Sequence, residues 1–209
     1  VALLKKTNPA KFDASTEVHF YLGVDPKQAD QNIRTTVALP HGTGKEVRVV
    51  AFVSEEKIKE AKDAGAIEAG TDILIGKIDG GWFDFDIAIA TPDQMKNLGK
   101  IAKTIGQKGL MPNPKTGTVT TEIAKTISEI KKGKVEVRVD KLSNLHNVFG
   151  KVSFEENQLA ENLKAIVKAV LDNKPASSKG SYIKSITVTT AMGPGIRLDV
   201  SAATSEVKE

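Results

Sequence analysis

Hydroxyl, thioether and glycine residues follow one another from Thr189 to Arg197, in the order Thr-Thr-Ala-Met-Gly-Pro-Gly-Ile-Arg. The glycines let another backbone approach closely, and the hydroxyls can hydrogen-bond to phosphates and ribose hydroxyls. An ordinary β-turn uses many of the same residues. The segment therefore indicates either a contact with nucleic acid or a plain turn.

A second candidate contact is Lys11-Phe12-Asp13-Ala14-Ser15, which places an aromatic ring beside a cation and a hydroxyl before a predicted strand. Phe12 could stack on a base of RNA. Burial in the core is the commoner fate of a phenylalanine. The sequence leaves both interpretations open.

The segment from Lys108 to Thr118 is neither a helix nor a central strand. Pro112 and Pro114 fix φ, lack an N–H, and push the preceding residues toward extended geometry, so the loop is semi-rigid. Charged and apolar side chains stand on it together: Lys108, Leu110, Met111 and Lys115. A surface connection between helices is the alternative. We interpret the loop as a contact surface.

One segment resembles a phosphate-binding loop without meeting its requirements, and the position after the first strand of the α/β segment lacks the glycine-rich fingerprint of a dinucleotide site. Gly42-Thr43-Gly44-Lys45 lacks the four-residue spacer of a phosphate loop, and a predicted strand follows it where the helix should begin. Val53-Ser54-Glu55-Glu56 places acidic residues where a dinucleotide pyrophosphate would lie. We therefore predict no cofactor.

The residues that could bind metal are few and dispersed. Asp84 and Asp86 fall on one side of a predicted strand, which solvation explains as well as a cation does. His19, His41 and His146 are far apart, and none forms a zinc-binding pattern. The absence of cysteine excludes thiolate zinc sites and cysteine nucleophiles. We predict no metal site, no catalytic residues and no enzymatic activity.

The composition is that of a globular protein. Of 209 residues, 40% are hydrophobic and 27% charged, and the net charge of +4 leans toward polyanionic partners. No apolar run has membrane-span length, and the first residues lack a signal-peptide pattern. Together with the lack of cysteine, this predicts a cytoplasmic protein. Val1 to Lys6 has the pattern of a helix end, which predicts residues before Val1.

The pattern of elements changes twice along the chain. Predicted strands at Ser15–Val24 and Arg34–Leu39 precede a break at Pro40–Gly44. Alternating strands and helices follow: strand Val47–Val53, helix Glu55–Ala64 capped by Ser54, strand Phe85–Ala90, a helix capped by Thr91 and reaching about Ile105, and helix Glu122–Lys132. Such alternation predicts a right-handed, mostly parallel open sheet.

After Gly133 the strand-rich pattern returns. The predicted elements are strands at Lys134–Val139 and Asn144–Phe154, a helix at Leu159–Leu171, two strands within Tyr182–Val200, and a frayed tail from Ala202. We therefore predict a discontinuous α+β domain, 1–42 with 133–209, into which an α/β domain, 43–132, is inserted. Two adjacent glycine-containing crossings predict a hinge.

Segments along nearly the whole chain recur in one known family, in the same order and with matching spacing. They are Lys11-Phe12-Asp13, Leu22-Gly23-Val24-Asp25-Pro26, Leu39-Pro40-His41-Gly42-Thr43-Gly44-Lys45, Gly81-Trp82-Phe83-Asp84-Phe85-Asp86, Ala90-Thr91-Pro92-Asp93, Gly109-Leu110-Met111-Pro112-Asn113-Pro114-Lys115 and Met192-Gly193-Pro194-Gly195. In these segments the chain resembles the bacterial form of the ribosomal large-subunit protein one family.

The resemblance implies a fold and a function. The fold is a split α+β domain, which carries the ribosomal RNA contact, with an inserted Rossmann-like three-layer α/β domain. The implied partners are the stalk region of large-subunit ribosomal RNA, exit-site tRNA, whose release the protein assists, and its own mRNA, whose translation it represses. The implied location is the large ribosomal subunit in the cytoplasm, with no membrane and no small-molecule substrate.

The resemblance also implies which residues bind RNA. They are Lys11, Phe12, Ser15, Glu17, Ser185, Thr190, Met192 and Gly193, with Arg34, Lys141 and His146 nearby. Lys108 and Lys115 are candidates for a secondary RNA or tRNA contact. Ala191 stands where the family usually has threonine, so a hydroxyl contact there does not carry over. The alternative function is a nucleotide-dependent enzyme built on the α/β insert.

Overall fold

The computed structural model of the protein describes residues 1–28, 30–178 and 180–207. These residues form two compact units. The first unit combines Val1–Lys45 with Lys132–Glu209, and the second unit is Glu46–Lys131. The architecture is mixed, with helices and several sheets.

The strands are β1 (Ser15–Leu22), β2 (Arg34–Ala38), β3 (Val49–Phe52), β4 (Glu68–Ala69), β5 (Ile87–Ala90), β6 (Lys134–Arg138), β7 (Asn144–Lys151), β8 (Ile183–Thr190) and β9 (Ile196–Leu198). The α-helices are α1 (Ala2–Lys6), α2 (Ile58–Asp63), α3 (Thr71–Asp79), α4 (Met95–Leu98), α5 (Ala102–Gln107), α6 (Ile123–Lys131), α7 (Glu156–Asp172) and α8 (Val200–Ser205). Short 3-10 turns occur at Glu55–Lys57, Pro92–Gln94 and Pro114–Thr116.

The first unit is built on an antiparallel sheet with the strand order β7-β1-β8-β9, beside a two-stranded β2-β6 ladder. Alternate residues of β1, among them Val18 and Phe20, are buried. They share one hydrophobic cluster with Phe149 of β7 and with Leu159 and Ile166 of α7. Helix α7 thus covers one face of the sheet, and the residues between the buried ones point to the other face.

The two chain crossings at the edge of the first unit run side by side. Gly133 has φ of 106°, and a Cβ added there would overlap the Cα of Gly42. The N–H of Leu39 donates to the carbonyl of Gly133 at 3.1 Å. Glycine at 133 therefore satisfies both a positive φ and a close backbone approach.

The second unit contains a parallel sheet with the order β4-β3-β5, so the predicted parallel pairing is confirmed. All four residues of β3 are buried, which explains its continuous apolar run. Alternate residues of β3 belong to two different hydrophobic clusters. Val49 and Ala51 pack with Ile123 and Ile127 of α6, and Val50 and Phe52 pack with Leu74 and Ile78 of α3 and Ile105 of α5.

Several predicted details of the helices are wrong. Ser54 and Thr91 lie at the predicted N-caps, but neither side chain forms a cap hydrogen bond, and each helix begins with a 3-10 turn. The helix predicted to reach Ile105 is interrupted between α4 and α5, where Gly99 weakens the helix. The sequence patterns also missed β4 and α3.

The predicted frayed tail is also wrong. Helix α8 begins where the Asp199 carboxylate accepts hydrogen bonds from the N–H groups of Ser201 and Ala202, at 2.8 and 3.2 Å. An aspartate N-cap of this kind stabilises a short helix. The last two positions of the predicted tail, 208 and 209, lie outside the described residues. Across the described ranges, none of the helices combines the length and apolar character that spanning a membrane requires.

Candidate nucleic-acid interface

The face of the four-stranded sheet that points away from α7 is polar, and we call it the open face. Strand register places His146 of β7, His19 of β1, Thr187 of β8 and Arg197 of β9 in one row across it. The open face includes half-buried Val148, which pairs with Glu17, and a larger set of polar residues that are exposed or half-buried: Ser15, Glu17, His19, Tyr21, Asn144, His146, Ser185, Thr187, Thr189 and Arg197. It offers hydroxyl, imidazole, carboxylate, phenol and guanidinium groups on a rigid support.

Two exposed apolar side chains lie at one end of this sheet, which we call the Phe12–Met192 edge. The loop before β1 and the turn after β8 meet there, since the N–H of Ala191 donates to the carbonyl of Ser15 at 2.9 Å. Phe12 is 59% exposed and Met192 is 71% exposed. Of the two interpretations that the sequence left open for Phe12, burial in the core is therefore wrong.

The loop that carries Lys11 and Phe12 is fixed by the residue after them. The Asp13 carboxylate accepts hydrogen bonds from the backbone N–H and the hydroxyl of Ser153, both at 3.0 Å, and lies 3.7 Å from Nζ of Lys151. Burial alone would raise the pKa of Asp13, but the hydrogen bonds and the lysine charge lower it below its ordinary value. The aromatic ring of Phe12 is thus presented from an anchored loop.

The segment from Thr189 to Gly193 is a hydrogen-bonded turn. The N–H of Gly193 donates to the carbonyl of Thr190 at 2.9 Å, and the Thr189 hydroxyl donates to the carbonyl of Gly193 at 3.0 Å. A Cβ added to Gly193 would overlap Oγ1 of Thr190. The β-turn interpretation therefore describes the geometry of this segment, and the same turn presents Met192 to solvent.

Thr190 lies on the face of the sheet that α7 covers. It is 2% exposed and pairs in register with buried Thr16. Its hydroxyl is therefore not on the open face, although the resemblance named it as an RNA contact. Its effect on the surface is indirect, because its side chain leaves room only for glycine at 193.

The structure brings together some of the other predicted residues and separates the rest. Ser15, Glu17, His146 and Ser185 share the open face. Arg34 lies on the separate β2-β6 ladder, where its Nε is 2.7 Å from Oε1 of Glu136. Lys141 lies at the opposite end of the sheet from Phe12, in the turn between β6 and β7.

The turn that carries Lys141 is rigid. Oδ1 of Asp140 accepts hydrogen bonds from the N–H groups of Leu142 and Asn144, at 2.8 and 2.7 Å. Ser143 has φ of 67°, and its hydroxyl donates to the carbonyl of Val24 at 2.8 Å. Although desolvation raises the pKa of Asp140, the backbone hydrogen bonds outweigh it, and the pKa is lowered.

Sequence reasoning treated His19 and His146 as far apart, and in the structure this is wrong. They are directly opposite each other in the β1-β7 ladder, and their Nδ1 atoms are 2.8 Å apart. Both strands were predicted, but the register that pairs them is not visible in either segment alone. His19, Tyr21 and Thr187 were missed as open-face residues for the same reason.

The second unit carries Lys108 and Lys115. Nζ of Lys108 lies 4.2 Å from the centre of the Phe83 ring, a cation–π contact. The side chain of Asn113 accepts a hydrogen bond from the N–H of Lys115 at 2.8 Å, which stiffens the loop. Leu110 and Met111 stand on this loop outside any helix or strand, as predicted, and both are half-buried against the hydrophobic cluster of Phe52.

The second unit offers little to a metal or a nucleotide. Among residues 1–28, 30–178 and 180–207, no group of three or more metal-binding side chains converges. Arg48 lies 3.2 Å from Asp86 and 3.8 Å from Asp84, so the acidic pair faces a cation. The cleft of about 300 Å³ beside the ends of β3 and β4 is lined in part by the carboxylates of Glu55 and Asp72, which disfavour phosphate.

A rigid polar sheet face with an exposed ring and an exposed thioether at one edge has the composition of an RNA-binding surface. The class of protein that this surface defines is thus a nucleic-acid-binding protein. A sequence model described as the ribosomal protein L1p/L10e family matches residues 4–194, and the chain belongs to that family. This confirms the resemblance found in the sequence. The family comprises structural RNA-binding proteins of the large ribosomal subunit, not enzymes.

Proposed function

We propose that the protein binds the stalk region of large-subunit ribosomal RNA through the open face and the Phe12–Met192 edge. The observation that carries this proposal is the convergence of two exposed apolar side chains, from segments far apart in sequence, beside a polar sheet face. Membership of a family of ribosomal RNA-binding proteins supports it. The enzyme alternative has no comparable support, since the family is not one of enzymes.

Different residues of the proposed site make different kinds of contact with the RNA. Lys11 and Arg197 neutralise phosphates, and the hydroxyls of Ser15 and Ser185 bond to ribose and phosphate oxygens. Glu17 accepts hydrogen bonds from base amino groups or 2′-hydroxyls. Phe12 stacks on an unpaired base, and Met192 fills the adjacent surface of the RNA.

The proposed function predicts specific binding that salt weakens. Affinity for the stalk RNA fragment should fall between about 50 and about 200 mM salt, because cations on the protein release condensed counterions from phosphates. Because base stacking and hydrogen bonds are less sensitive to salt, the preference over an unrelated hairpin of equal length should persist. Filter binding of both RNAs across the salt series measures this. Equal affinity for the two RNAs at every salt concentration would contradict the proposed site.

We also propose the finer roles that the family resemblance implies, in the cytoplasm. These are release of tRNA from the ribosomal exit site, with Lys108 and Lys115 as a secondary RNA or tRNA contact, and repression of translation through the protein's own mRNA. If one surface serves both RNAs, stalk RNA must displace the mRNA leader competitively. Simultaneous binding of the two RNAs would show that the mRNA uses another surface.

We further propose that the two units are two domains, with a Rossmann-like insert at 43–132 and a discontinuous RNA-binding domain at 1–42 and 133–209. Separate hydrophobic clusters in the two units support this division. Parallel strands that pack helices against both faces support the Rossmann-like description of the insert.

Excision of Thr43 to Lys132 tests the division into domains. Since Gly42 and Gly133 are already in backbone contact, a short Gly-Ser linker can rejoin the ends. We expect a folded protein by circular dichroism that keeps most of its affinity for stalk RNA, because the open face and the Phe12–Met192 edge are intact. A folded product whose affinity for stalk RNA falls by more than about tenfold, or roughly 1.4 kcal/mol, would place the principal contacts on the insert. The loop of Lys108 and Lys115 would then be the first candidate.

A further inference from the structure

The two histidines of the open face form a hydrogen-bonded pair flanked by carboxylates. The Nδ1 atoms of His19 and His146 are 2.8 Å apart, and the rings meet edge to face at a centroid distance of 4.9 Å. Nε2 of His19 lies 3.7 Å from Oε2 of Glu17, and Nε2 of His146 lies 3.7 Å from Oδ2 of Asp140. Each ring therefore has one nitrogen in the pair and the other near an acid.

This geometry has room for one proton more than the neutral pair carries. A hydrogen bond between two Nδ1 atoms needs one proton, and the accepting ring holds its own proton on Nε2. The donating ring then directs an unprotonated Nε2 toward a carboxylate, which is unfavourable. One added proton removes this repulsion, because both Nε2–H groups then face carboxylates while the bond between the rings remains.

We infer that His19 is a positioning residue for RNA binding: it holds His146 on the open face, and the pair takes up one proton when RNA phosphate arrives. The inference rests on the proposed RNA-binding function of the open face. It assigns to the site a preference for RNA that strengthens as the pH falls through the range in which histidine titrates.

The charges around the pair come from the strands and the turn beside it. Glu17 on β1 and Asp140 before β7 are acidic, Thr187 on β8 is uncharged, and Arg197 on β9 follows it in the same row. Burial lowers the pKa of His19, and the charge of His146 lowers it further, while Glu17 raises it. In the free protein the proton is therefore held weakly, and RNA phosphates supply the negative charge that retains it.

The sign of the effect follows from linkage. If the pair has a higher pKa in the complex than in the free protein, the complex binds more protons, so affinity increases as the pH falls from the higher value to the lower. Each unit of difference in pKa corresponds to a tenfold change in affinity.

The test is stalk RNA affinity measured from about pH 8 to about pH 5.5 at constant ionic strength, with a chelator present. We expect the affinity of the wild-type chain to rise about three- to tenfold over this range. Replacing both histidines, His19→Gln together with His146→Gln, should flatten the profile, since no imidazole of the pair then remains to take up the proton. His41→Gln is the matched control. His41 bonds to Glu161 of α7, on the covered side of the sheet, at 2.6 Å, so its loss should leave the slope unchanged.

A wild-type slope in the variant that lacks both His19 and His146, or a slope that disappears in His41→Gln, would overturn the inference. So would a wild-type profile that is flat while stalk RNA is still preferred over an unrelated hairpin. Loss of that preference at every pH would instead contradict the proposed function itself. Should the double variant fail to fold, NMR titration of His19 in the wild-type chain decides the matter. RNA must shift the titration of the His19 ring to higher pH, and an unchanged titration would overturn the inference.

Discussion

Replacing Phe12 and Met192 together by alanine is expected to weaken binding of stalk RNA about a hundredfold and to leave the free energy of unfolding nearly unchanged. Stacking and shape contacts with RNA are worth roughly 1–3 kcal/mol per residue, so each single variant should lose about tenfold or more. Filter binding with the stalk fragment measures the loss, and urea unfolding followed by circular dichroism measures stability.

The separation of affinity from stability rests on exposure. Truncation of a buried Phe or Met costs about 2–5 kcal/mol because it removes apolar contacts and leaves a cavity. Phe12 and Met192 have most of their surface in solvent, so alanine at these positions removes little packing. If either alanine variant lost several kcal/mol in its free energy of unfolding, the replaced residue would belong to the core and not to the proposed site.

Ile73→Ala is the matched control for this pair. Ile73 is a large apolar residue, 55% exposed, on α3 of the second unit, which carries neither the open face nor the Phe12–Met192 edge. Its truncation tests whether loss of any exposed apolar side chain weakens RNA binding. A tenfold loss in Ile73→Ala would show that the effect is not specific to the Phe12–Met192 edge.

The sequence predicted the strands of the open face but not which residues meet on it. Ser15–Val24 and Asn144–Phe154 were each predicted as strand regions, yet the pairing of His19 with His146 depends on register, which two isolated segments do not determine. The inward position of Thr190 was predictable from alternation, because Ile186 and Val188 mark the buried side of the same strand. The family resemblance favoured a surface contact there, and burial opposes it.

The second unit was predicted where its local signals were strong. The continuous apolar run of β3 is typical of a parallel strand covered on both faces. Strand β4 has only two residues, and α3 starts after Gly70, which has φ of 116°. A strand of two residues has no readable period, and α3 also contains Gly76, so tertiary packing decides both elements.

The polar core of the first unit depends on one helical residue, Asn162, which no sequence pattern singled out. Its side chain is fully buried in α7. Oδ1 accepts a hydrogen bond from the N–H of His41 at 3.1 Å, and Nδ2 donates to the carbonyls of Gly42 and Phe149, both at 2.8 Å. One amide group thus joins the helix, the β7 strand and the segment that leaves β2.

Replacement of Asn162 by alanine should lower the free energy of unfolding of the first unit by about 3 kcal/mol. Three backbone groups lose their partner: the carbonyl of Phe149 is buried, and the N–H of His41 and the carbonyl of Gly42 are partly buried. Each unsatisfied group costs roughly 1–3 kcal/mol, reduced where water enters or the backbone relaxes. The higher helix propensity of alanine offsets only about a few tenths of a kcal/mol of this loss. Asn162→Leu separates the hydrogen bonds from the cavity, because it keeps most of the volume and should be destabilising as well.

The two units can be followed separately in the same urea titration. The chain has one tryptophan, Trp82, and it lies in the second unit, so its fluorescence reports the unfolding of that unit. Circular dichroism also detects the 17-residue α7 of the first unit. If the units unfold independently, Asn162→Ala lowers the transition seen by circular dichroism and leaves the Trp82 transition in place.

Asn173→Ala is the control for loss of an asparagine in the same region. Asn173 is exposed at the end of α7, and its side chain donates one hydrogen bond to the carbonyl of Ala169 at 2.8 Å. Because water can replace that hydrogen bond, Asn173→Ala should lower the free energy of unfolding by no more than about 0.5 kcal/mol. A loss in Asn162→Ala no larger than that of the control would contradict the prediction, because one buried and two partly buried backbone groups cannot all lose their hydrogen-bond partner without cost.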